Sequence, residues 1–280
     1  MKNNILVIGG TGKTGRKVVE QLKTLNYPVR IGSRSASIPF DWNDETTWAK
    51  ALEGIEKMYI TYQPDLAVPG ALDSIEALIK LAKRSGVKKA VLLSGKGERE
   101  AELCEQVVIH SGMDYTIVRA SWFMQNFSES FFLDPIIAGH VALPKAEAKV
   151  PYVNTDDIAA VVVAALTNEK HNGQLYELTG PRVLTFEEVV QEIAKEADRE
   201  IQFTPISMDA YVNMLKQANV PDDYIWLINY LFTEVLDAKG NNMITGDIEK
   251  VLGRKPKDFS QYAKETASTG VWNSVTSGIL

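Results

Sequence analysis

Residues 7–17, "VIGGTGKTGRK", carry two phosphate-binding signatures laid over one another. Gly12-Lys13-Thr14 reads as the end of a nucleoside-triphosphate loop, whereas Gly9, Gly12 and Gly15 spell the turn of a dinucleotide-binding unit. The triphosphate loop needs glycine five residues before its Gly-Lys pair, so that bare backbone can wrap a phosphate. That position is Val7, inside the apolar run "NILVIGG", and a β-branched residue cannot open the loop. Nor does an obvious strand end in a Mg²⁺-holding aspartate. The dinucleotide reading fits throughout: a strand ends at Ile8, the glycines follow at three-residue spacing, and a helix begins at Lys13 or Thr14. Gly9 permits the tight turn, Gly12 lets a pyrophosphate approach backbone N–H groups, and Gly15 lets helix and strand pack closely. Gly10, Thr11, Lys13 and Thr14 complete the loop, and the helix N-terminus turns its partial positive charge on the phosphates.

Outward from this turn, short apolar runs alternate with amphipathic stretches. "PVRIGS", "KMYITY", "KKAVLLSG", "DYTIVRA" and "GQLYELTG" read as strands, and "FDW" at 40–42 as the end of another short one. The helices between them show apolar faces at Val18, Leu22 and Leu25, at Leu72, Ile75, Ile79 and Ala82, and at Leu103 and Val107. Strands apolar throughout, each followed by such a helix, predict an α/β doubly wound parallel sheet covered on both faces. After residue 120 the pattern loosens, and from Phe186 onward it is mostly helical. The expected division is a dinucleotide-binding domain over 1–178, with 121–154 contributing to a substrate cleft, and a smaller helical substrate lobe over 179–280.

The second strand decides which dinucleotide. A site for the unphosphorylated ribose places Asp or Glu at its end. Residues 31–37 read "IGSRSAS" and hold no acid, whereas Arg34 between Ser33 and Ser35 offers a guanidinium and hydroxyls to a 2′-phosphate. The expected cofactor is NADP(H). Asp41 and Trp42 are expected beside the adenine.

Composition sets outer limits. The 280 residues are 45% hydrophobic and 24% charged, ordinary values for a soluble globular chain. A net charge of −6 (30 basic, 36 acidic) argues against nucleic acid as a partner. A single cysteine, Cys104, rules out an internal disulfide framework, suits a reducing cytoplasm, and reads as a small buried hydrophobe. His110, His140 and His171 are scattered without metal-ligand spacing. Asp156 and Asp157 open a helix and complement its dipole rather than bind metal. No apolar stretch approaches the roughly 20 residues of a membrane span, so a small molecule is the expected partner; monomer and dimer remain open.

The chemistry is narrowed by a missing group. Short-chain dehydrogenases carry a serine on the strand corresponding to "AVLLS" and a Tyr-x-x-x-Lys pair on the next helix, to protonate the substrate oxygen. Ser94 and Gly95 are present beside the expected nicotinamide, but "GEREAELCEQVVIHSG" has no tyrosine, and no Tyr-x-x-x-Lys occurs in the chain. Positioned acid catalysis is worth about 10²–10⁴-fold, so ketone reduction is disfavoured. Cationic iminium or triarylmethyl acceptors need hydride alone, and quinones are nearly as undemanding. Lys96 and Tyr62 lie at strand ends near the expected nicotinamide, where either could donate a proton, and Tyr62 is counted among the cofactor contacts; neither is assigned as the acid, and catalytic residues stay unassigned.

"VIGGTGKTGRKV", "SGMDYTIVRASWFMQNF" and "YVNTDDIAAVVVAAL" resemble the NmrA-like, atypical branch of the short-chain dehydrogenases/reductases. "GQLYELTGPRVLTFEEVVQEIA" and the stretch from "YLFTEVLD" to "TASTGVW" look closest to its ergot-alkaloid-reductase subgroup and bacterial relatives. The resemblance covers essentially the whole chain. It implies a Rossmann domain binding NADPH, a small substrate lobe, and hydride transfer to an iminium, quinone or dye. The family's other face, a non-catalytic NADP(H)-sensing regulator, is the alternative. A lysine that serves catalysis in some plant relatives is replaced here by Glu105 and Gln106. The aromatic segment after residue 120 is expected to build a flat apolar wall for an aromatic ligand from Trp122, Phe123, Met124, Phe127 and Phe131, with Asn126 as a polar fixing group.

Overall fold

In the computed structural model, which describes residues 4–273, strands and helices alternate from the start. They run β1 (Ile5–Ile8), α1 (Gly15–Thr24), β2 (Val29–Gly32), α2 (Trp48–Leu52), β3 (Lys57–Ile60), α3 (Ala71–Arg84), β4 (Lys89–Gly95), α4 (Arg99–Ile109) and β5 (Asp114–Ala120). Then come α5 (Leu133–Ala138), β6 (His140–Leu143), α6 (Thr155–Thr167), β7 (Gln174–Leu178), α7 (Phe186–Glu196) and β8 (Gln202–Pro205). Helices α8 (Met208–Gln217), α9 (Asp222–Tyr230), α10 (Asp247–Leu252) and α11 (Phe259–Ala267) follow.

Six strands form one sheet in the order β2-β1-β3-β4-β5-β7, every pair parallel. β1 is buried along its whole length, which is why it reads as an unbroken apolar run. Helices α1 and α6 pack together, as do α3 and α4. The expected doubly wound Rossmann architecture is therefore present. The chain leaves β1 for β2 on one side and continues through β3 on the other, so its direction reverses at β1, and ligands of such sheets bind beyond the carboxyl ends at that point.

Two compact units are present. The first comprises Met1–Ala120, Thr155–Leu178 and Thr245–Lys255; the second comprises Ser121–Asn154, Thr179–Ile244 and Pro256–Leu280. The division differs from a cut at 178 in two segments. Residues 121–154 belong with the second unit, and α10 returns to the first. That return has clear anchors: Asp247 accepts from the Glu177 N–H at 2.9 Å, Thr245 donates to the Glu177 carbonyl, and Arg254 pairs with the buried Asp157 at 2.7 Å.

The second unit has an aromatic core in which Phe127, Phe132, Phe186, Phe232, Phe259 and Trp272 are fully or almost fully buried. It also holds a parallel pair, β6 with β8, that the helical reading of the last third did not anticipate. Three further expectations need correction. "FDW" is no sheet strand: only an isolated bridge joins Asp41 to Asp44, and Phe40 and Trp42 turn inward to pack with Trp48. Leu25 stays 46% exposed because α1 has already ended. On α4 the buried face is Ala101, Cys104, Glu105 and Val108, leaving Leu103 49% exposed; a buried acid breaks the apolar stripe that periodicity would otherwise reveal.

Candidate functional site

The turn between β1 and α1 is built by close approach. Gly9, at φ +71°, donates to the Gly32 carbonyl at 2.8 Å, and Gly12 donates back to the Gly9 carbonyl at 2.8 Å. A Cβ on Gly15 would collide with the carbonyl of Gly9, so helix and strand meet here only because that side chain is absent. A Cβ on Gly12 would meet only the Gly9 oxygen, at 3.2 Å, so the remaining approach to its Cα is open. Helix α1 has no acidic residue in its first turn and no side-chain cap. Gly10 is buried, Thr11 exposed and Lys13 half-buried. Thr14 differs from expectation: it is buried, and its hydroxyl accepts from the buried Tyr59 at 3.0 Å. Its side chain holds the turn from behind.

At the end of β2 the hydroxyl of Ser33 is buried without a hydrogen-bond partner. Its carbonyl gathers the following loop, accepting from Ala36 at 3.2 Å and Phe40 at 3.0 Å. Arg34 is exposed, at the tip of this turn. Asp41 is occupied locally: its carboxylate accepts from Asn43 and its carbonyl from the Trp48 indole at 2.7 Å. Trp42 is half-buried, its indole donating to the Thr61 carbonyl at 3.1 Å, with Tyr62 against it at 4.7 Å between ring centroids. Tyr62 thus sits at the end of β3 among these rings.

Beyond β4 lies a network of charges. Ser94 is buried, and its hydroxyl donates to Glu105 on α4 at 2.6 Å. Glu105, fully buried, accepts two hydrogen bonds from Arg119, at 2.9 and 2.5 Å. Arg119 also reaches Glu177 at 3.1 Å, as does Lys96 at 3.0 Å. Lys96 is therefore a buried, ion-paired cation.

Sequence reading missed one pair entirely. Glu98 is the residue before α4, and its side chain makes no capping hydrogen bond to that helix. It folds back over Gly95, whose Cα it covers so closely that a Cβ there would collide with the carboxyl. Only 7% of Glu98 is exposed. Its partner is Asp65, in the loop after β3, whose carboxyl lies in hydrogen-bond contact with that of Glu98 and accepts from the Ala67 N–H at 2.9 Å. Burial, reinforced by the charge of Asp65, raises Glu98 well above the usual carboxylate range, and burial raises Asp65 as well. The only signal in the sequence is a glycine-flanked acid, "GKGE", ahead of a helix.

Elsewhere the picture is structural. Cys104 is buried, its thiol pushed up to about 12 by that burial. Asp156 pairs with Lys17 at 2.6 Å, and both it and Asp157 lie in the first turn of α6. Among the described residues no group of His, Cys, Asp or Glu is arranged to hold a metal, and no helix is long and apolar enough to cross a membrane.

The expected aromatic wall is largely core. Phe127 is fully buried against Phe132, Tyr152 and Phe259, and Trp122 packs on Phe132, Phe186 and Phe232. Both rings belong to the buried cluster of the second unit. Phe123 and Asn126 remain half-buried.

Known proteins resemble the chain over nearly its full length. The profile described as "NmrA-like family" matches residues 1–266. The prestalk A differentiation protein A of Dictyostelium discoideum is 32% identical, covering 95% of this chain and 93% of its own length. Agroclavine dehydrogenase from Claviceps fusiformis is 28% identical, covering 96% and 98% respectively. Among solved structures, an NADPH-dependent quinone oxidoreductase from Escherichia coli, complexed with NADPH, superposes with a TM-score of 0.77 at 22% identity, over 93% of this chain and 99% of that one.

Proposed function

The chain belongs to the NmrA-like family, and on that premise we propose that it is an NADPH-dependent reductase passing hydride to a small, electron-poor organic molecule. The observation that carries this reading is the end of β2. An unpartnered Ser33 hydroxyl and the exposed Arg34 stand where a ribose-binding acid would otherwise be. A guanidinium and a hydroxyl with no other partner suit a 2′-phosphate. The open Cα of Gly12 and the uncapped start of α1 suit the pyrophosphate. Bound there, the dinucleotide supplies hydride; the chain's residues orient it and shield it from water.

The names of the relatives support a reductase. One is a clavine dehydrogenase and a structural neighbour is a quinone oxidoreductase. Phe123 and Asn126 are the residues we assign to acceptor contact. Acceptors that are cationic or strongly electrophilic fit the lack of a Tyr-x-x-x-Lys pair. The test follows NADPH absorbance while an iminium, a quinone and a triarylmethane dye are offered in turn. Oxidation with one or more of them is expected. Tight NADPH binding with no oxidation in any case would contradict the reductase and favour a dinucleotide-sensing regulator.

A further inference from the structure

We infer that Asp65 and Glu98 share a single proton and deliver it to the substrate as hydride arrives, taking the place of the absent tyrosine. The inference rests on the reductase reading and extends its substrates to neutral acceptors.

Position is the first support. On the reductase reading, the residues assigned to the 2′-phosphate follow β2 and those assigned to the pyrophosphate follow β1, in the strand order β2-β1-β3-β4. The other half of a dinucleotide laid across the switch point extends over the ends of β3 and β4. Asp65 follows β3, and Glu98 follows β4. The two carboxyls meet across neighbouring strand ends although 33 residues separate them in the sequence, the difference between positions 98 and 65.

The conformation of Glu98 is the second support. As the residue before α4 it has free use of a helix N-terminus, which would hold it ionised. Instead it turns away, without a capping bond, onto the bare Cα of Gly95. Two carboxyls in hydrogen-bond contact cannot both ionise without strong repulsion. The charged groups facing Glu98 are Asp65 from the loop after β3 and Glu100 and Glu105 from α4, all acidic. Glu105 is neutralised by Arg119, and Lys96 is turned to Glu177. Neither Arg119 nor Lys96 is therefore available to draw the proton off Glu98, whose carboxyl faces Asp65. Asp65 is half-buried, the more exposed member of the pair.

The chemistry balances. Hydride addition to a neutral azo or imine acceptor puts an electron pair on nitrogen. The Glu98 O–H bond breaks as the N–H bond forms, and the dihydronicotinamide is the species oxidised. The pair is left as two carboxylates, and one regains a proton from water. A cationic acceptor requires none of this.

The test compares a neutral azo dye with a cationic triarylmethane dye, using NADPH and the full-length protein. Glu98→Gln, which mimics the protonated acid in size and polarity, is expected to lower the ratio of azo to cationic turnover by about 100-fold or more. Asp65→Asn removes the neighbouring charge and should move the alkaline limb of azo turnover to lower pH. Infrared spectra of the cofactor-free protein supply a readout independent of turnover. A protonated-carboxyl C=O band at neutral pH should be present in the wild type and absent in Glu98→Gln. Equal loss with both dyes, or a wild type without that band, overturns the shared proton. Turnover of neither dye by the wild type, with the band present, overturns the reductase reading and the delivery step with it.

Discussion

The hydroxyl of Tyr59, in the middle of the sheet, donates to the hydroxyl of Thr14 at the head of α1, at 3.0 Å and out of reach of water. This bond ties the strand beside β1 to the loop on which a pyrophosphate would rest. Tyr59→Phe keeps the ring and strands the buried Thr14 hydroxyl, a cost of about 1–3 kcal/mol. The expected result is a melting temperature several degrees lower and NADPH affinity weaker by several-fold. The NADPH-to-NADH ratio should stay as it is, since Ser33 and Arg34 are untouched. Thermal melts and calorimetry check both.

Gly12 and Gly15 separate folding from binding. Gly15→Ala forces a methyl into the Gly9 carbonyl, so the turn itself must open, and a large loss of stability and of cofactor binding is expected together. Gly12→Ala meets only one oxygen, at 3.2 Å. It should fold with nearly the wild-type melting temperature yet bind NADPH about 10-fold or more weakly, a cost of roughly 1.4 kcal/mol. Parallel melts and titrations of the two variants distinguish them.

Acid stability has a marker in the second unit. Arg182 holds Asp258 at an acidity of about 2 through paired hydrogen bonds of 2.7 and 2.9 Å. A carboxyl depressed by folding stabilises the native state above its unfolded value, about 3.9, and loses that contribution as pH falls through its folded value. Asp258→Asn should therefore lower the melting temperature at pH 7, by about 2 °C or more. The gap from wild type should shrink as pH falls from about 4 to about 2. A gap that widens over this range would contradict the pairing. Melts of both proteins across the pH series measure it.

What the sequence made legible follows from the range of each interaction. The glycine turn and the six sheet strands are local patterns, and both are present where the residues predicted them. Phe127 and Trp122 were legible as an aromatic cluster but not as core, because burial depends on partners as distant as Phe259 and Phe232. The burial of Glu105 depends on Arg119, from the next strand, which neutralises it and lies 14 residues away in the sequence. Glu98 has only the glycine-flanked "GKGE" to mark it, and nothing local ties it to Asp65. Their meeting is a product of parallel strand order, which puts the loops after β3 and β4 side by side.

The most direct measurement is the calorimetric affinity of the wild type and of Arg34→Ala for NADPH and for NADH. A charge-assisted bond to the 2′-phosphate is worth about 1.5–3 kcal/mol, or roughly 10- to 100-fold in affinity. The wild type should prefer NADPH by that margin, and Arg34→Ala should bind the two coenzymes within a few-fold of each other. A variant that keeps the full preference, or a wild type that binds neither coenzyme, would contradict the assignment of this turn and this arginine.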